Sequence, residues 1–258
     1  MNDPHVVALR YKLCTGQSVI YDSPPAVTHS DPSFDATLVG GILTIELKEH
    51  HATIGSAQTR VCSFLRAWEI NSAIDFGRDA LRFEFDGADV IDRIPPLPGR
   101  PAIHSLSGSA SLSISGTATL QVIRHAYPTP PPNFAASPLV ELLWARYEEF
   151  EDGKDLLTTM GYACLSAVQS QAGGRNKVVT QFNIHIDVLN QLGRLTSDVG
   201  DELTARKFDA LSTRRSHTEI EKTWIVAAIK LLILRVAEHD SDPSAVTAQI
   251  TLADLPIC

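Results

Sequence analysis

The sequence predicts an α+β protein, with an N-terminal, mostly antiparallel sheet carrying one packed helix, followed by a C-terminal all-α helical bundle. Three observations carry that prediction. Alternating apolar residues rich in β-formers recur over His5–Leu13, Leu38–Leu47 and Leu81–Phe85. Helical spacing takes over after Ser137. Between the two patterns lies a proline-rich seam, Tyr127-Pro128-Thr129-Pro130-Pro131-Pro132-Asn133-Phe134-Ala135-Ala136-Ser137-Pro138. The organisation expected is a strand-rich α+β domain over 1–127, a proline-rich linker over 128–137, and a helical bundle with a C-terminal tail over 138–258. At 44% hydrophobic over 258 residues, the chain can bury a core on each side of the seam.

In the first part, His5–Leu13 and Leu38–Leu47 read as strands, the latter broken by the turn signal Gly40-Gly41. Tyr21 to Asp35 carries Pro24, Pro25 and Pro32 and reads as a long surface loop. Val61, Phe64, Leu65 and Trp68 fall at helical spacing, so an amphipathic helix is expected after an N-cap at Ser56. Leu81 to Phe85 alternates cleanly, and Val90-Ile91 precedes the rigid Pro95-Pro96-Leu97-Pro98-Gly99. From Ile103 to Ile123 aliphatic residues alternate with Ser, Gly and Thr, the pattern of two hairpin strands turning near Ser115-Gly116 or of one long bent strand.

In the second part, Ser137-Pro138 is an N-cap followed by proline at the first helical position, and Leu139, Leu142, Leu143, Tyr147 and Phe150 form the expected inner face. A second helix is expected from Lys154 to Ala172, with Leu157, Met160, Cys164 and Val168 inward and Gly173-Gly174 as its stop. Shorter helices follow around Lys177–Phe182 and Val188–Leu195. The last helix starts at the capping box Thr218-x-x-Glu221 and runs to about His239, so four to six helices are expected.

Composition narrows the function. The 30 acidic residues outweigh 22 basic ones, with −3 before the seam and −5 after it, so neither half is a general polyanion binder, which needs clustered Lys and Arg. Met1-Asn2-Asp3-Pro4-His5 lacks the features of an export signal, and Trp224 to Ala237, broken by Lys230 and Arg235, is too short to cross a bilayer. Cys14, Cys62, Cys164 and Cys258 are scattered, without zinc-finger spacing, and read as reduced thiols of a cytoplasmic protein. The glycines do not form a phosphate-binding loop, and there is no G-x-S-x-G nucleophile elbow. No cofactor is expected.

Three clusters are candidates for chemistry. Glu46, Glu49, His50 and His51 hold metal-ligand chemistry where a strand passes into the helix, giving Glu46, His50 and His51 as the metal candidates. Adjacent histidines on extended chain point to opposite faces, so packing or capping competes with that reading. Lys177-Val178-Val179-Thr180-Gln181-Phe182-Asn183-Ile184 followed by Val188-Leu189-Asn190-Gln191-Leu192 has a helix–turn–helix cadence, with Lys177 and Arg194 as its nucleic-acid contacts. Asp187 in the second helix is a poor complement for phosphates, and core packing alone gives the same cadence. The third cluster is Arg206-Lys207-Phe208-Asp209-Ala210-Leu211-Ser212-Thr213-Arg214-Arg215-Ser216-His217, just before the last helix, where a solvated surface is the competing reading.

With that Arg/Lys and His segment between late helices of a bundle, residues 137 to 240 resemble HEPN domains in layout. The resemblance implies a metal-independent ribonuclease in which Arg206, Arg214 and His217 supply a cation for phosphate and a general acid or base. The spacing departs from the catalytic pattern, in which a His would fall near Leu211. The whole chain also resembles members of an uncharacterised bacterial two-domain protein family. That likeness rests on Lys48-Glu49-His50-His51-Ala52-Thr53, Leu65-Arg66-Ala67-Trp68-Glu69, Ala136-Ser137-Pro138, Ala205-Arg206-Lys207 and Gln249-Ile250-Thr251-Leu252-Ala253-Asp254-Leu255-Pro256. It implies that both parts belong together and brings no activity with it.

The function expected is therefore a non-catalytic binding or assembly module. A protein partner or self-association comes first, RNA is an alternative ligand, DNA ranks after it, and no membrane is involved. The HEPN resemblance adds a stress or phage-defence setting. The competing readings are the ribonuclease and the helix–turn–helix DNA binder.

Overall fold

A computed structural model describes residues 3–16, 18–78, 80–94, 122–199 and 215–257. The chain divides into two compact units, Met1–Pro132 and Asn133–Cys258. The architecture is mixed α+β, with an antiparallel sheet and one helix in the first unit and helices in the second.

The first unit's sheet contains β1 (Pro4–Cys14), β3 (Val27–Ser30), β4 (Phe34–Val39), β5 (Ile42–Leu47) and β6 (Arg82–Asp92), in the order β3-β4-β5-β1-β6. Every neighbouring pair in it is antiparallel. Gly40 and Gly41 form the two-residue turn between β4 and β5, both at positive φ (56° and 77°), as the primed hairpin turn requires. Between Tyr21 and Asp35 the sequence pattern indicates loop, yet Val27–Ser30 forms a strand against β4. Its prolines lie outside the strand, and the Asp31 carboxylate accepts from the Ser33 N–H at 2.9 Å to make the turn.

Helix α1 (Ile54–Phe76) covers one face of the sheet. Its N-cap is Thr53, one turn ahead of the expected Ser56, because the Thr53 hydroxyl accepts from the Ser56 N–H at 3.1 Å. Val61, Leu65 and Trp68 meet Val6, Leu9 and Tyr11 of β1 and the inward residues of β4 and β5 in one core. An extra residue at Val7 shifts the β1–β6 register, which moves the helix-facing set of β1 from Val6 to Leu9 and Tyr11. The other face carries polar partners, including an Arg10–Asp89 ion pair at 2.6 Å. Arg82–Phe85 and Val90-Ile91, separate in the sequence pattern, belong to one strand that passes through Gly87.

Val122–Arg124 forms β7 and pairs in parallel with β2 (Val19–Tyr21). Residues 103–121 of the expected hairpin lie outside the described residues. The start of the seam belongs to the first unit's core. Tyr127 is 5% exposed and its hydroxyl accepts from the Gly41 N–H at 2.9 Å, while the buried Trp68 indole donates to the Pro128 carbonyl at 3.0 Å.

The second unit contains α2 (Pro138–Glu151), α3 (Leu157–Ala172), α4 (Arg175–Phe182), α5 (Ile186–Ser197) and α6 (Glu219–Ser241). Ser137 caps α2 as expected. The buried stripe of α2 is Val140, Leu143, Trp144 and Tyr147, so Leu142, expected inward, is 48% exposed. Val140 and Trp144 lie on the buried stripe in its place. Helix α3 stops at Gly173 in the left-handed conformation, α4 stops at Asn183 in the same conformation, and α6 begins on the Thr218/Glu221 capping box. Ile250 of the C-terminal segment bridges to Ile184 in the α4–α5 turn. Among the described residues no helix is long and apolar enough to cross a membrane.

Candidate functional site

The residues singled out in the sequence fall into three places. His50 pairs with His5, its Nδ1 lying 3.2 Å from the His5 Nδ1, with ring centroids 5.1 Å apart. One of the two nitrogens must donate and the other accept. Burial, and then the neighbouring His50, Arg93 and His51, lower the His5 pKa below the ordinary histidine value. Asp3 Oδ1 sits 3.7 Å from His50 Nε2. Glu46 stands exposed between Ala8 and Asp35 on the sheet. The His51 carbonyl accepts from the Val6 N–H at 2.9 Å, which ties this turn to β1. Among the described residues no three His, Cys, Asp or Glu side chains are placed to hold a metal ion.

Arg206 and Arg214 lie outside the described residues. His217, two residues before α6, directs Nε2 at the Leu195 carbonyl of α5 at 2.8 Å. Nε2 must carry the proton to make that bond. Arg215 makes a forked pair with Glu221, Nη1 to Oε2 at 2.6 Å and Nη2 to Oε1 at 2.5 Å. The Arg215 hydrogen bonds, with help from Thr218 and against the cost of burial, pull the Glu221 pKa down to about 2. The described end of this polar segment is thus bound into the start of α6.

Lys177 and Arg194 separate in the fold. The Lys177 ammonium stays by Gly173 at the end of α3, whereas Arg194 lines an open cleft of about 370 Å³ between α3, α4 and α5. Arg175, at the first position of α4, lines the same cleft. Its Nη1 donates to Asn190 Oδ1 at 2.9 Å, and the Gln169 amide, oriented by its hydrogen-bond network, accepts on its oxygen from Nε and Nη2 at 3.0 and 3.3 Å. Arg194 donates from Nε and Nη2 to Gln191 Oε1 at 3.3 and 3.1 Å. Ser166, Ser197, Tyr162 and Asp198 complete the polar wall. Gly193 shapes it, because a Cβ there would come within 3.0 Å of Arg175 Nη2.

A second cavity, of about 230 Å³, contains Arg235, His239, Gln181, Asn183 and Asp242. Arg235 is 8% exposed, donates to the Thr247 hydroxyl, and has Nε 3.1 Å from Glu238 Oε2. Its charge already faces a carboxylate, so the larger cleft is the better candidate for a binding site.

Sequence reading found Arg194 of this cleft and missed Arg175, Gln169, Asn190 and Gly193. The signal available was a glycine in the middle of a helical segment, which costs about 1 kcal/mol relative to alanine and so marks a close approach. No family model, curated protein or solved structure matches this chain.

Proposed function

We propose that this protein is a binding or assembly module that acts without catalysis of its own, in the cytoplasm and with a protein partner. One observation carries the reading: His217, the general acid or base of the ribonuclease alternative, has Nε2 committed to the Leu195 carbonyl, and its neighbour Arg215 is committed to Glu221. These side chains hold the start of α6 in place, a structural use of His217 Nε2 that leaves only Nδ1 of this ring for proton transfer. The polar cleft lined by Arg175 and Arg194 supplies the recognising surface. The free Cys14, Cys62 and Cys164 support a reducing compartment. The bacterial origin and the stress or phage-defence setting rest on the two sequence resemblances.

The test is incubation of labelled single-stranded RNA with the wild-type protein and His217→Ala in chelator-containing buffer, beside native mass spectrometry of the protein from its host. No cleavage by either form, together with a complex of defined protein stoichiometry, is the expected result. Cleavage by the wild type that disappears in His217→Ala overturns the reading in favour of the ribonuclease.

A further inference from the structure

Arg175 and Arg194 are positioned unlike ordinary surface arginines. Each guanidinium is oriented by neutral amide oxygens, those of Gln169 and Asn190 for Arg175 and that of Gln191 for Arg194. Among the described residues neither of them meets a carboxylate within ion-pair distance. An amide oxygen fixes a guanidinium's direction without neutralising its charge, so both cations remain available to a ligand while part of the entropic cost of ordering them is already met.

We infer that this cleft is an oxyanion site, which takes one phosphate or carboxylate group of the bound molecule on the guanidinium groups of Arg175 and Arg194. The inference deepens the binding-module reading and rests on it. Guanidinium forks match the planar, paired acceptors of both anions. Ser166 and Ser197 add hydroxyls on the same wall. Asp198 also lines the cleft, so among the described residues two cations stand against one anion on its wall. That balance, in a chain of net charge −8, suits one discrete oxyanion and opposes a polyanionic backbone. Gly193 fits the same design, since a Cβ there would meet Arg175 Nη2 at 3.0 Å and press on the guanidinium.

The experiment is calorimetric titration of the full chain with inorganic phosphate and, separately, with sodium acetate, at low ionic strength. Wild type, Arg194→Gln and Arg175→Gln are compared, with circular dichroism to verify folding. Arg194 is exposed, so Arg194→Gln keeps the test decisive if Arg175→Gln fails to fold. Saturable binding that weakens about tenfold or more in Arg194→Gln is the expected result, the loss of one charge-assisted hydrogen-bonding group. Tighter binding of phosphate than of acetate assigns a phosphate-bearing ligand, and the reverse order assigns a carboxylate. No saturable binding of either anion, or equal binding by wild type and Arg194→Gln, overturns the site. A protein complex that persists in native mass spectra despite that result leaves the binding-module reading standing, whereas RNA cleavage removes the reading itself.

Discussion

Arg215 and Glu221 meet fork to fork at the first turn of α6, with oxygen–nitrogen distances of 2.6 and 2.5 Å. Glu221 also accepts from the Thr218 N–H at 3.0 Å, so a single carboxylate closes the capping box and anchors the incoming chain. The acid is 6% exposed, and its alternative to pairing is an unsatisfied buried charge.

Acid sensitivity follows from that pair. The folded Glu221 carboxyl is held near 2 against an ordinary value of 4.5, so its stabilisation is complete above about pH 5 and is lost as pH falls toward 2. Allowing for the exposure of Arg215, the contribution is about 2 kcal/mol. Urea unfolding of wild type and Glu221→Gln between pH 2.5 and 7 should show a gap that is widest at neutral pH and narrows in acid. A gap that does not change with pH would assign the loss to the cap alone.

Gly161 lets α3 approach its neighbours closely. A Cβ there would lie 2.7 Å from Thr196 Cγ2 and 3.3 Å from Ile225 Cγ2. Gly161→Ala should therefore destabilise the protein by about 1–3 kcal/mol, despite alanine's higher helix propensity. Thr196→Ser removes the obstructing methyl, so the double variant should recover part of the loss in chemical denaturation. Additive losses in the two variants would sink this account.

The thiols should separate by reactivity. Burial pushes the Cys164 pKa up to about 12, while Cys62 is exposed on α1. In native protein at pH 8, alkylation read by peptide mass mapping should modify Cys62 readily. Cys164 should react roughly a thousandfold more slowly than an ordinary exposed thiol and become labelled only on unfolding. Equal labelling of the two would contradict the packing around Cys164.

The Trp68 indole is one of two anchors of the seam on the first unit, beside the Tyr127 hydroxyl. Trp68 is 1% exposed, and its Nε1 donates to the Pro128 carbonyl at 3.0 Å. Trp68→Phe should cost about 1–3 kcal/mol by leaving that carbonyl without its donor. It should also raise the rate of limited proteolysis near Tyr127, and unchanged cleavage there would show that the bond does not hold the seam.

Local signals made much of the fold legible. The Gly40-Gly41 turn, the Ser137-Pro138 start, the Gly173 stop and the Thr218/Glu221 capping box all operate within a few residues, so their energetics are written in neighbouring side chains. The strand at Val27–Ser30 was hidden because prolines flank it and its pairing with β4 rather than its own pattern makes it a strand. The shift at Val7 was equally hidden, since a bulge exists only relative to the partner strand.

The candidate site divides along the same line. Arg194 and His217 could be nominated from residue type, yet Leu195 lies 22 residues before the His217 it binds, and Asn190 lies 15 residues after the Arg175 it orients. By itself the sequence determined the α+β class, the change from strands to helices at the seam, and several helix ends, because hydrophobic period and capping are short-range physics. Only the tertiary structure decided which polar groups serve the fold and which stay available to a ligand. That outcome depends on whether each charge meets a carboxylate, a carbonyl or an amide once the helices have packed.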